Sequence, residues 1–337
     1  MKALKTISTV AVIVLVAGVF IALLGFAVNG FTFKNVSNQT KETHTVSIPE
    51  GTEIKEIFAE FDTGVISVEI SDTQEKLSIT YETIHTKDGD PLTTVRESIR
   101  DGAIRLEEES HFTRWIFNIL DSSKTNVSIV IPKALALSLN LECDTGKINL
   151  NGGGVLNKVK LATDTGDIFA DGITASDFSI ELDTGDIYLK NTSVNGRFSI
   201  NSDTGDMNIQ NLTANSIEIE TDSGDIALRD VTSATSINIE LDTGDLDLKG
   251  NITAQSIYYE ADTGDLDCDD GSVIDAQSIT AKTSTGDLEL RLRGSQNEYG
   301  IVIDIRTGDS NIRSQQGGPR QLNIKSSTGD AEIRFVG

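Results

Sequence analysis

Cysteine, histidine and tryptophan are scarce in this 337-residue chain, with two, three and one copies respectively. Two cysteines are too few for a disulfide framework. His44, His85 and His111 are scattered, so the sequence shows no His-containing metal site or catalytic triad. G-x-S-x-G and Walker-type loops are also missing. Positive charge is in deficit: 28 Lys and Arg stand against 52 Asp and Glu, for a net charge of -24 and a pI near 4.4. That balance argues against a nucleic-acid partner, because phosphate binding needs clustered Lys and Arg. It suits a soluble, self-repelling surface exposed to ions.

What is present is a repeat. Thr-Gly steps (once Ser-Gly) fall at Gly146, Gly166, Gly185, Gly205, Gly224, Gly244, Gly264, Gly286, Gly308 and Gly329, spaced by 19 to 22 residues. One further copy, Asp62-Thr63-Gly64, stands far upstream as an outlier. A fixed period in this range means stacked structural repeats. Apolar residues sit seven and five positions before the glycines, as in Phe178 and Ile180 or Ile217 and Ile219, and two and four after them, as in Ile187 and Leu189. Period-two alternation on both sides of a turn reads as strand, turn, strand and excludes helix.

Such units can form an antiparallel meander or a parallel β-solenoid. The solenoid is preferred, because the period is nearly constant and each position keeps its chemical type, as stacking requires. The expected fold is therefore all-β: a parallel β-solenoid of about ten coils of ~20 residues, with a β-rich N-terminal cap and one transmembrane helix. At roughly 4.8 Å per coil the stack is about 45–50 Å long. Cys143 and Cys268 fall on inward positions six coils apart, roughly 29 Å and beyond disulfide reach, and read as small core hydrophobes.

Along the chain, Ile7 to Val28 is 22 residues without a charge, behind Lys2 and Lys5. As a helix it would be about 33 Å long, enough to cross a bilayer. The basic flank places the N-terminus in the cytoplasm and the bulk of the chain outside; a cleaved signal peptide usually has a shorter apolar region. Residues 1–28 are thus expected to be an anchor, 29–42 a linker, 43–138 a β-rich lead-in covering the open end of the solenoid, and 139–337 the repeat domain with a C-terminal cap. Inside the lead-in, Phe112, Trp115, Ile116, Ile119 and Leu120 mark one helical face, either a plug over the core or an interfacial membrane contact. Arg291, Arg293, Arg306, Arg313, Arg320 and Arg334 accumulate near the end, where they are expected to offset the acidic columns.

Those columns are the main chemical feature. Asp183, Asp203, Asp222 and Asp242 belong to a series two before the glycines, and Asp186, Asp206, Asp225 and Asp245 to a series just after them. Stacked at ~4.8 Å, each series becomes a file of carboxylates. Aspartate before Thr-Gly can bond its own turn backbone, and glycine supplies positive φ. Neighbouring charges still repel by roughly 0.9 kcal/mol in bulk water, so these eight aspartates are candidate calcium ligands between coils. The spacing fits neither the EF-hand nor the nonapeptide calcium repeat. Asp-Thr-Gly also occurs in aspartic proteases, but those need two aspartates facing across a cleft, and here the triplet recurs as a corner unit. Lyase-type β-helices build clefts from long insertions, for which nearly uniform coils leave no room. The chain is not expected to be an enzyme or to carry a cofactor beyond calcium.

Val127-Ser128-Ile129-Val130-Ile131-Pro132-Lys133, then Leu139-Asn140-Leu141, then the Thr-Gly-Asp-Ile repeats resemble the bacterial putative-adhesin family over roughly residues 45 to 337. The resemblance implies a membrane-associated envelope protein outside the cytoplasmic membrane, sometimes tied to envelope-stress responses, and it brings no catalytic residues. The expected function is a membrane-anchored structural or interaction module at the cell surface, with a cell-wall or surface ligand. The alternative is an accessory or sensor protein in an envelope-stress response.

Overall fold

A computed structural model describes residues 39–86, 88–110 and 124–337. The expected anchor at residues 7–28 and the helical face around Trp115 lie outside the described residues. Among the described residues no helix is long and apolar enough to cross a membrane.

The chain divides into two units. The described part of the smaller one includes Thr83–Thr94, a tight excursion in which the Leu92 N–H donates to the Ile84 carbonyl at 2.8 Å and the buried Thr93 hydroxyl accepts from the Ile84 N–H at 2.8 Å. The larger unit holds His44–Glu82, Val95–Glu108 and Lys124–Gly337. It is a parallel β-solenoid of about ten turns.

Register between coils is strict. Phe178 pairs with Phe198, Ile180 with Ile200 and Thr184 with Thr204, and the next coil continues Phe198 to Ile217 and Ile200 to Ile219. Equivalent side chains therefore stack, and the inward ones form one continuous apolar core, with Phe178, Phe198, Ile217 and Ile237 all at most 1% exposed. Cys143 and Cys268 lie in that core as free thiols, and burial pushes the Cys143 thiol up to about 12.

Each coil has more parts than strand, turn, strand. In Ile187–Thr204 a second corner follows Lys190, where Asn191 takes φ 49°, and a third falls between Val194 and Arg197, where the register shifts. The second corner repeats as Gly172 (φ 75°), Asn191, Asn211 (55°), Asp230 (53°) and Gly250 (70°), residue types that tolerate the left-handed region. Its side chains bond along the stack: Asn211 Nδ2 donates to Asn191 Oδ1, and Asn191 Nδ2 to Asp171 Oδ1, both at 2.8 Å. Between these two corners runs a short third segment whose inward residues are often small, as at Ala175, Ala214 and Ser233.

The coils do not stack in chain order at either end. Asp62-Thr63-Gly64, an outlier in the sequence, is in register with the first regular coil, Thr63 opposite Thr145 and Gly64 opposite Gly146. Its strand, Glu56–Ser71, has that coil on one side and residues 103–107 and 125–132 on the other. Residues 78–81 then pair antiparallel along residues 127–130, giving that outer strand a partner on its far side. At the other end, Arg320–Thr328 pairs with both Val273–Thr285 and Tyr299–Thr307. The last coil of the chain thus lies inside the stack and the penultimate one is outermost. That outermost strand is covered in turn: Ile301 exchanges backbone hydrogen bonds with Gln315, and the Ile303 N–H donates to Ser314 Oγ at 2.9 Å.

Interleaving makes the C-terminal coil a structural joint. Removing residues 320–337 takes away the layer on which Tyr299–Thr307 rests, so two coils are lost from the stack. Thermal melting of this truncation is expected to show a loss of β-sheet signal corresponding to more than the deleted residues, with residues 299–316 sensitive to protease. A truncation that retains protection over 299–316 would show that the outer coil stands alone.

Candidate functional site

The feature repeated most faithfully along the larger unit is the Thr-Gly-Asp corner. Its glycines have φ between 135° and 158° from Gly166 onward, and each packs onto the backbone of the coil beneath. A Cβ built on Gly205 would lie 1.6 Å from the Gly185 carbonyl oxygen, and one on Gly166 would lie 1.5 Å from that of Gly146. Nothing larger than hydrogen fits, and the backbone conformation itself penalises any other residue.

At this corner the hydrogen-bond ladder changes hands. The Gly185 N–H donates to the Thr204 carbonyl and the Ile187 N–H to the Asp206 carbonyl, both at 2.9 Å. The N–H of the aspartate between them points the other way. Asp206 N–H donates to Asp186 Oδ1 at 3.1 Å, Asp225 to Asp206 at 3.0 Å, Asp245 to Asp225 at 3.0 Å, and Asp265 to Asp245 at 2.9 Å. The file continues through Asp287 and Asp330 to Asp309, following the interleaved coil order. The carboxylate thus supplies the acceptor for a corner amide. A hydrogen bond to a charged group is worth about 1.5–3 kcal/mol net, against roughly 0.9 kcal/mol of repulsion per neighbour at coil spacing in water. The bond offsets that repulsion, which is larger at a protein surface than in bulk water.

The two series therefore have different jobs. The sequence assigned turn bonding to the aspartates before Thr-Gly; the structure gives it to those after the glycine, and across coils rather than within one. Asp183, Asp203, Asp222 and Asp242 are exposed, and their side chains make no hydrogen bond or ion pair among the described residues. Their partners in the calcium expectation, Asp186, Asp206, Asp225 and Asp245, each spend one oxygen on a backbone amide. Among the described residues no three of these aspartates bring ligand atoms within 4.8 Å of one another.

A cation closes the N-terminal end of the file. Lys147 replaces aspartate after Gly146 and donates to Asp167 Oδ2 at 2.6 Å, with its ammonium 5.3 Å above the Phe169 ring. This bond, reinforced by the Asp186 amide, holds the Asp167 carboxyl below the usual range. Phe169 stacks in turn on Tyr188 at 4.9 Å, whose hydroxyl donates to Asp186 Oδ2. The C-terminal arginines do not offset either column as expected. Arg291 and Arg334 meet Asp270, Arg293 and Arg320 meet Asp275, and Arg334 also meets Glu332, acids that belong to neither series.

A third acidic file occurs where the sequence showed no period. Glu107, Glu60 and Glu142 are side by side on adjacent strands. Partial burial first, and then the charges of Glu142 and Glu107, hold the Glu60 carboxyl above its ordinary range.

With this geometry established, the fold defines the class: a parallel β-solenoid whose coils close on Thr-Gly-Asp corners. The chain belongs to the Toastrack DUF4097 family, which matches residues 60–245 and 230–336. No curated protein matches it. Among solved structures it is similar to a putative adhesin from Bacteroides fragilis, at 14% identity over 88% of this chain and 97% of that one, with a TM-score of 0.38. It is also similar to a putative lipid binding protein from Parabacteroides distasonis, at 14% identity over 89% and 98%, with a TM-score of 0.40.

Glu60 gives a pH test. An acid whose pKa is raised on folding binds more protons folded than unfolded between the two pKa values, so stability falls as pH rises through that window. The Glu60→Gln variant should melt higher than the parent at pH 7, and the gain should vanish below about pH 4, where the parent carboxyl is protonated. An equal gain at both pH values would assign the effect to packing.

Proposed function

We propose that this protein is a membrane-anchored, extracytoplasmic β-solenoid acting as an interaction module at the cell surface. The observation that carries the reading is the pairing of a stack hydrogen-bonded from coil to coil with outward faces of exposed, unpartnered carboxylates such as Asp183, Asp203 and Asp222. A stack of this kind presents one side-chain chemistry repeatedly over many coils, which serves binding to extended surfaces. The uncharged run at residues 7–28 behind two lysines supports the anchor and its orientation. The names of the similar structures, adhesin and lipid binding protein, agree with a surface role.

No catalytic step belongs to this reading, because the repeated aspartates line up in files rather than opposing one another across a cleft. Calcium has a limited part in it, as a counter-ion shared between coils at the outer aspartates Asp183, Asp203, Asp222 and Asp242.

Topology is directly measurable, because the chain's own thiols are silent. Cys143 and Cys268 are buried, with burial raising both thiol pKa values, which keeps them unreactive. Val155 is 55% exposed. In intact cells, or in spheroplasts if an outer membrane is present, a membrane-impermeant maleimide should label the Val155→Cys protein and spare the parent. Labelling of Val155→Cys only after lysis would place the solenoid in the cytoplasm and overturn the proposal.

A further inference from the structure

At the C-terminal end of the stack, the strands Tyr299–Thr307 and Ala331–Val336 are each laddered to a lower coil on one side only. Residues 309–315 meet their outward backbone groups, largely with side chains. Asn311 serves Ile333 as a peptide group would: its Nδ2 donates to the Ile333 carbonyl at 3.0 Å, and its Oδ1 accepts from the Ile333 N–H at 2.9 Å. On Tyr299–Thr307, Ile301 exchanges backbone bonds with Gln315, and Ser314 Oγ accepts from the Ile303 N–H. Cover stops there. Outward backbone groups alternate along a strand, so Ile305 is next, and its N–H has no partner among the described residues. The covering segment is lightly held. None of residues 308–319 is buried, and Gly317 and Gly318 follow it with φ of 112° and 79°.

We infer that the edge centred on Ile305 is a self-association surface, on which the same strand of a second copy pairs antiparallel about a two-fold axis, and that residues 309–315 are a strap competing with that pairing. A two-fold contact brings each surface patch against itself. With Ile305 opposite its own copy, each Ile305 N–H points at the other's carbonyl. Asp304 then falls opposite Arg306, and Arg306 opposite Asp304. Residues directly opposite across an antiparallel pair are about 4.5–5.5 Å apart, where opposite charges attract. Both side chains are exposed, and neither has an ion-pair partner among the described residues.

Charge commits this edge to a second copy. With a net charge of -24, the chain repels its own kind over most of its surface. On Tyr299–Thr307 there is one acid and one base, placed so that two-fold symmetry pairs them. Arg306 occupies the position where most coils have an outer aspartate, such as Asp183 or Asp242. Ile303 and Ile305 at this end of the core are only partly buried, and the same residues of a second copy extend the core across the contact. Beyond Ile305 the strap is in the way: Ser314 and Gln315 sit beside Ile303 and Ile301, where the second copy's strand would continue. With the strap in place the contact is short and therefore weak.

The test is light scattering over a concentration series on the full chain in an excess of detergent micelles. The parent is expected to associate weakly to a dimer and no further. Asn311→Ala/Ser314→Ala, which loosens the strap, should dimerise about tenfold more tightly, or better. Ser314→Ala alone, which leaves every other strap bond in place, should shift the equilibrium the same way by less. In the loosened background, Arg306→Asp sets like charges opposite each other and should abolish the gain. Asp304→Arg/Arg306→Asp swaps the two signs and should restore it, a rescue that damage to the fold would not give. No dimer from either strap variant would overturn the inference. So would a dimer indifferent to Arg306→Asp, or growth beyond dimers. Equal competition by the peptide Tyr299–Thr307 and by its scrambled sequence would make the edge a general peptide acceptor and overturn the choice of a second copy.

Discussion

The structure depends on one hydrogen bond repeated along the stack: an aspartate carboxylate accepting the backbone N–H of the next coil's aspartate. It exists because the Thr-Gly corner brings the backbones so close that the glycine carbonyl below occupies the place of a side chain. That approach turns the following amide away from the ladder, and an unpaired corner amide in every coil would be expensive. The carboxylate solves this with the side chain of the very residue whose amide is stranded, one coil further on. Once that bond is in place, glycine, aspartate and coil spacing fix one another. The same triplet can then recur along the chain with little variation.

Negative charge follows from this solution. Each coil from Gly166 onward contributes a carboxylate to the file for structural reasons, and in the coils up to Gly264 the outer aspartates add a second one. The charged hydrogen bonds along the file offset the repulsion between neighbouring carboxylates at coil spacing. Basic groups are placed economically: Lys147 closes the N-terminal end of the file, and four arginines settle the acids at Asp270, Asp275 and Glu332.

Much of this was legible in the sequence. The period, the inward residues around each glycine such as Phe178, Ile180, Ile187 and Leu189, the parallel stacking and the buried cysteines all follow from alternation and spacing. The third segment of each coil was not legible, because it contributes only two inward residues and the second, as at Ala214 or Ser233, is often small or polar. The interleaved ends were invisible for a different reason. Strand order is set by long-range pairing, and Gly64 looks like an outlier because its neighbour in the stack, Gly146, is 82 residues away in the chain. The two aspartate series look equivalent in sequence; only the direction of the corner amide separates the structural one from the exposed one.

Amide hydrogen exchange at the corner tests the central claim most directly. If carboxylates complete the ladder, the Asp206 and Asp225 amides exchange as slowly as those of the strands beside them. In Asp186→Ala the Asp206 amide should lose at least about tenfold of its protection, roughly the worth of one such hydrogen bond, while the Asp225 amide, whose acceptor is Asp206, keeps its own. Asp186→Asn, which retains an acceptor oxygen without the charge, should preserve most of it. Rapid exchange at Asp206 in the parent protein, or unchanged protection in Asp186→Ala, would contradict the account.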